Sequence, residues 1–161
     1  MDMQTVMALL VTMTVSAGTV RAGELTVGSA QTQPGQTVSV PVTYDPGSGR
    51  TAAALATDVR FDGKALKNPR CQAGSALSGG NAPKAVKCAV PRTGVLRLAV
   101  YGLNTEPVPA GELASISFDV AADAHPHSYK LRQKPSAADA AGKDFLLKHR
   151  NGVIQVGTAA P

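Results

Sequence analysis

The chain of 161 residues contains no tryptophan, three tyrosines and three phenylalanines. Sugar rings dock on exposed aromatic faces, so this supply is too small for the planar strip that crystalline polysaccharide requires. Cysteine is as scarce, with Cys71 and Cys88 the whole set. They do not form a C-x-x-C pair and no histidine stands near them, which argues against a zinc or dithiol redox centre. The apolar run at residues 6–15, VMALLVTMTV, is well short of the ~20 residues a membrane-spanning helix needs. No Gly-rich phosphate loop is present and no Ser/His/Asp spacing suggests a hydrolase. In SALSGG, residues 75–80, Ala76 stands where G-x-S-x-G needs its first glycine. No catalytic residue is therefore assigned. His125 and His127 flank Pro126, but a metal site needs three or four ligands. Asp139 and Asp144 lack the Asp-x-Asp-x-Asp-Gly order of a calcium loop. The expectation is no metal and no cofactor.

What is present begins with an address. Residues 6–15 have the length of a signal-peptide core and are followed by small residues and TVRA, with Val20 and Ala22 in the positions a signal peptidase reads. The preceding MDMQT carries an acid and no base. The reading is a signal peptide at 1–22 cleaved before Gly23, a domain at 23–157 and a short tail at 158–161. No cysteine follows the apolar run to carry a lipid, so the mature chain is expected to be exported, extracellular or periplasmic. An even cysteine count in an exported chain predicts one disulfide, Cys71–Cys88. A closed loop of that size stabilises by roughly 3 kcal/mol in the chain-entropy model. The formal net charge of +5 aids solubility and attracts anionic surfaces without naming a partner. Lys64, Lys67, Arg70, Lys84, Lys87, Arg92 and Arg97 gather in mid-chain; they read first as a solvated face that keeps an exported protein soluble, and otherwise as an anion-binding patch if the disulfide draws Arg70 and Lys87 together. Export argues against nucleic acid as the target.

Strand signals recur along the mature chain, and no convincing amphipathic helix does. Val38, Val40, Val42 and Tyr44 alternate with Thr37, Ser39, Pro41 and Thr43; Leu55, Thr57 and Val59 alternate with Ala54, Ala56, Asp58 and Arg60. Leu96, Leu98 and Val100 oppose Arg97, Ala99 and Tyr101, and Ile116, Phe118 and Val120 oppose Ser115, Ser117 and Asp119. This period of two marks half-buried strands. Shorter signals lie at 25–27, 84–90 and around Tyr129 and Leu131. Residues 64–81 and SAADAAG at 136–142 read as loops, and Asn151-Gly152 between apolar stretches reads as a hairpin turn. Pro41 cannot donate to a ladder, which predicts an edge strand or a bulge. Tyr44, Phe61 and Phe118 are assigned to the core. Eight or nine short strands with polar outer faces predict one all-β domain, a nine-stranded antiparallel β-sandwich.

These segments in this order resemble the cohesin domain. LTVGSAQTQPGQTVSVPVTY is similar to that family's opening two strands, and TDVRFDGKAL to its strand, Phe-Asp turn and leucine. GVLRLAVYGLN and GELASISFDV resemble two later core strands, and AADAAGKD followed by NGVIQV the closing loop and last strand. The resemblance implies jelly-roll topology and a non-catalytic adaptor that binds another protein, in well-studied members a calcium-loaded dockerin. It also implies that one flat sheet face makes the contact. The matching outward positions are Ala54, Ala56, Asp58 and Arg60 on one strand and Arg97, Ala99 and Tyr101 on another. Cellulosomal members tend to carry Asn and Asp where Ala54 and Ala56 fall, so the expected partner is a dockerin-like or other extracellular protein. Tyr101 beside Arg97 is the expected hot spot, since both types are enriched at interface centres. The alternative partner is a polysaccharide, as the family is akin to jelly-roll carbohydrate-binding modules.

Overall fold

A computed structural model of the chain describes residues 21–78 and 84–158, and among these no helix forms. The residues at 1–20 and 159–161, which include most of the expected signal peptide and tail, lie outside the described set. No helix among the described residues is long and apolar enough to cross a membrane. The strands in chain order are β1 (Glu24–Val27), β2 (Ala30–Thr32), β3 (Thr37–Asp45), β4 (Ala54–Arg60), β5 (Leu66–Ala73) and β6 (Ala85–Arg92). They continue as β7 (Val95–Tyr101), β8 (Gly111–Val120), β9 (His127–Ala138), β10 (Asp144–Phe145), β11 (Lys148–Arg150) and β12 (Gly152–Val156).

Two sheets pack as a sandwich, one ordered β11-β1-β3-β8-β5 and the other β2-β12-β9-β4-β7-β6, with β10 added to β9. The alternation read in the sequence fills the space between them. Val38, Val40, Val42 and Tyr44 of β3 and Ile116, Phe118 and Val120 of β8 are buried from one side, and Leu55, Val59, Leu96, Leu98, Val100, Leu131 and Ile154 from the other. Each large aliphatic side chain so buried contributes about 1.5–3 kcal/mol. Phe61, half-buried, packs its ring on Phe118 with centroids 5.0 Å apart. The amide of Gln133 crosses the sandwich: Nε2 donates to the carbonyls of Leu25 and Arg150, and Oε1 accepts from the buried Thr57 hydroxyl.

Several expectations are corrected. The sandwich is not wholly antiparallel, because β1 pairs with β11 and β2 with β12 in parallel. The cause is that the first and last strands each break and change sheets at the same level. Asn151-Gly152 is therefore the break between β11 and β12, not a hairpin turn. A Cβ on Gly152 would lie 2.1 Å from the Gly28 carbonyl oxygen, so only glycine allows the two crossing strands to touch. The Val153 amide donates to the Ser29 hydroxyl at 3.0 Å and fixes the crossing.

Pro41 lies on β3, an interior strand between β1 and β8, not on an edge, while the bulge that was the other expectation lies one residue on, where the β3–β8 register shifts between Val42 and Thr43. β1 pairs with β3 only as far as Val27–Val42, and the Pro41 carbonyl then accepts the Gly28 amide at 2.8 Å. In an extended chain a residue's N and C=O point to the same side. The missing N–H of Pro41 thus faces the point where β1 has left the sheet. The stretch read as loop at 64–81 contains β5, and β9 runs on through residues 136–138 of SAADAAG.

The Cys71–Cys88 disulfide forms as expected. It joins β5 to β6, the outermost strands of the two sheets on one side. Crossing strands close the sandwich along one edge, and a covalent bridge closes it along the other.

Candidate functional site

β4 buries Leu55, Thr57 and Val59 and turns Ala54, Ala56, Asp58 and Arg60 outward; β7 buries Leu96, Leu98 and Val100 and turns Arg97, Ala99 and Tyr101 outward. The two strands are adjacent, with Ala56 opposite Ala99 and Asp58 opposite Arg97. All seven predicted positions therefore share the outer face of the larger sheet. Arg97 donates from Nε and Nη2 to the two carboxylate oxygens of Asp58 at 2.8 and 2.9 Å. That hydrogen bonding, opposed by slight desolvation and aided by the charges of Arg97, Arg92 and Arg60, lowers the Asp58 pKa below its ordinary value. The pair lies in the open, and an exposed ion pair is worth about 0–1 kcal/mol. Its consequence is positional, since two hydrogen bonds fix the guanidinium to the neighbouring strand.

Tyr101 is 44% exposed, while Tyr44, Tyr129 and Phe118 are buried and Phe61 and Phe145 half-buried. It is the one exposed aromatic side chain among the described residues. Beside it Ala54, Ala56, Ala99, Ser136 and Ala138 line a shallow depression of about 230 Å³, with Asp144 at its rim. Small side chains on three neighbouring strands leave this floor low, and Tyr101 stands up from it.

Sequence reading placed a strand around Tyr129 and Leu131 but missed its full extent and its place as the third strand of the face. β9 places Ser136 opposite Ala56, Lys134 opposite Asp58 and Arg132 opposite Arg60. The available signal was the alternation of Tyr129, Leu131, Gln133, Pro135 and Ala137, all buried. Pro135 obscured it. β9 is paired with β12 as far as Leu131 and with β10 from Ala137, and between these the Gln133 amide is satisfied by the Asn151 side chain at 3.0 Å. Two residues further on the backbone N points to the same unpaired edge, so proline there forfeits no ladder bond.

Arg70 and Lys87 do line one depression beside the disulfide, but Arg70 is engaged by Asp119 at 3.0 Å. Lys84 is buried, with Nζ donating to the Asn104 carbonyl and side-chain oxygens. The His125 carbonyl accepts the Tyr129 hydroxyl, and His127 meets the Tyr129 ring edge-on. Asp139 is occupied by the amides of Ala141 and Lys143 and by Arg50. No group of three or more His, Cys, Asp or Glu side chains among the described residues could hold a metal ion.

With this geometry in view, comparison with known proteins gives a consistent result. No curated protein sequence matches the chain. The solution structure of the cohesin CaCohA2 from Clostridium acetobutylicum is similar at 22% identity and a TM-score of 0.69, covering 86% of this chain and 92% of that one. The OlpA cohesin from Clostridium thermocellum, solved in a type I cohesin–dockerin complex, is similar at 16% identity and a TM-score of 0.70, over 84% and 99%. A non-cellulosomal cohesin from the archaeon Archaeoglobus fulgidus is similar at 15% identity and a TM-score of 0.67, over 84% and 91%. Residues 23–156 match the family model described as the cohesin domain, and the chain belongs to that family of non-catalytic binding modules.

Proposed function

We propose that the chain is an exported adaptor whose outer face on β9, β4, β7 and β6 docks a protein, dockerin-like or another extracellular partner. The observation that carries this reading is the alanine-floored depression beside the exposed Tyr101. A low apolar floor with a standing aromatic offers a partner side chain a pocket and an anchor, the arrangement in which binding energy concentrates. The solved relative bound to a dockerin supports a protein partner. Ala54 and Ala56 offer no side-chain hydrogen bonds, which makes this face less polar than the resemblance implies for cellulosomal members. In the same reading β1/β2 and β11/β12 are single broken strands and β10 is an accessory ladder, which reduces the twelve segments to a nine-stranded jelly-roll. Export is supported by the apolar run at 6–15 and by the disulfide. The polysaccharide alternative rests on Tyr101 as its one exposed ring.

The test is capture from the secreted proteome on the immobilised full-length chain, with and without a calcium chelator, followed by titration of the partner so found. Tyr101→Ala is expected to weaken that partner by about 2 kcal/mol, roughly 30-fold, and Arg97→Ala to weaken it less. A partner bound equally by wild type and both variants would place the contact elsewhere.

A further inference from the structure

Charge is divided unequally between the two sheets. The strands of the β11-β1-β3-β8-β5 sheet carry the acids Glu24, Asp45, Glu112 and Asp119 against Lys67, Arg70, Lys148 and Arg150. Most of these acids are matched locally: Glu24 with Arg150, Asp119 with Arg70, and Asp45 with Arg21. In the other sheet the only acids are Asp58, engaged by Arg97, and Asp144 on the short β10. Besides Arg97 that sheet carries Arg60, Lys87, Arg92, Lys130, Arg132 and Lys134, all exposed. None of the six forms an ion pair among the described residues.

Arrangement adds to number. Arg60 of β4 stands directly opposite Arg132 of β9. Like charges in that register destabilise a sheet. The adjacent pair sets Lys134 opposite Asp58, whose two oxygens are already taken by Arg97. Three cations therefore sit side by side at one end of the face, and the apolar depression with Tyr101 lies at the other.

We infer that the partner accepted by this face is an acidic protein segment, its carboxylates over Arg60, Arg132 and Lys134 and an apolar side chain against Tyr101 and the alanine floor. The inference rests on the docking-face reading and adds the chemistry of the occupant. Opposite charge steers encounter and relieves the Arg60–Arg132 repulsion. A polyanionic glycan would answer the cations but leave the apolar floor without a counterpart.

The experiment titrates the full-length chain, followed by backbone amide shifts, with three probes: a helical peptide with a leucine stripe flanked by glutamates, the same peptide with lysines in their place, and a heparin oligosaccharide. The glutamate peptide is expected to shift amides of β4, β7 and β9, and to weaken about tenfold in the double variant Arg132→Glu/Lys134→Glu. It should weaken similarly between about 50 and about 500 mM salt, where screening shortens from beyond ~10 Å to a few ångströms. Arg132→Glu sets opposite charges across from Arg60, which offsets the acid that Lys134→Glu places across from Asp58, a carboxylate already engaged by Arg97; amide shifts elsewhere in the chain that match wild type check that the fold holds. Lys148→Glu, on the other sheet, should leave affinity unchanged. Equal binding of the lysine peptide, or indifference to the double reversal, overturns the inference. So does a heparin oligosaccharide that binds this face while the glutamate peptide does not. A captured protein partner that needs Tyr101 but ignores salt and charge reversal removes the acidic segment and leaves the docking face standing. A partner that maps to the other sheet removes both.

Discussion

Asp119 shows how far a single exposed carboxylate can be committed to the fold. It accepts hydrogen bonds from the Asn68 amide, the Arg70 guanidinium and the Thr37 hydroxyl, all within 3.0 Å, and in that order they draw its pKa from 3.8 down to about 2. Asn68 reaches it from a left-handed backbone conformation (φ 51°) within the bulge of β5, a conformation asparagine tolerates better than most residues. The unfolded chain protonates this group first, so its stabilising effect is complete above pH ~4 and is lost as the pH falls through ~2. Asp119→Asn is expected to flatten the stability profile between those limits, as read by urea unfolding at a series of pH values. At this scale the sequence was partly legible. The outward placement of Asp58, Arg97 and Tyr101 followed from alternation alone. That Asp58 would meet Arg97 and Arg60 would face Arg132 depended on register, which no local pattern around these residues states.

Strands with unbroken alternation, such as β3, β4, β7 and β8, were readable from their own residues because one face of each is buried. Two of the misreadings share one cause. Pro41 suggested an edge and Asn151-Gly152 a hairpin, whereas each marks a place where a neighbouring strand departs, as Pro135 does on β9. A proline is tolerated wherever its nitrogen faces such a gap, and the gap belongs to a partner strand remote in sequence. The crossing of β1/β2 with β11/β12 gives this a sharp test. Gly152→Val would drive a side chain into the Gly28 and Val27 carbonyls, at 2.1 and 2.8 Å from the new Cβ. The strands would have to separate, and the expected loss is on the order of 3 kcal/mol or more, measured by urea denaturation. An unchanged midpoint would mean that the crossing tolerates a wider spacing than its geometry implies.

For the whole molecule, the order of segments was enough to indicate an all-β domain and its family, because five weak matches in sequence constrain topology more than any one of them. The change of sheet by both terminal strands was hidden, since it depends on contact between residues some 125 positions apart and on the absence of a Cβ. The disulfide was legible by count. It bridges the side of the sandwich that has no crossing strand, so Cys71→Ser/Cys88→Ser should cost roughly 3 kcal/mol while far-ultraviolet circular dichroism at low denaturant still reports the β-sheet. A larger loss, with collapse of the spectrum, would mean that the β5–β6 edge does not hold without its bridge. The parallel terminal strands carry a mechanical consequence. β1/β2 and β11/β12 run side by side in the same direction, so the polypeptide enters at one pole of the sandwich and leaves at the opposite one. Tension applied across the module would slide these neighbours lengthwise past each other, loading their hydrogen bonds together rather than peeling them one at a time. Such a body resists being drawn out along its own length far better than one whose terminal strands can be peeled apart.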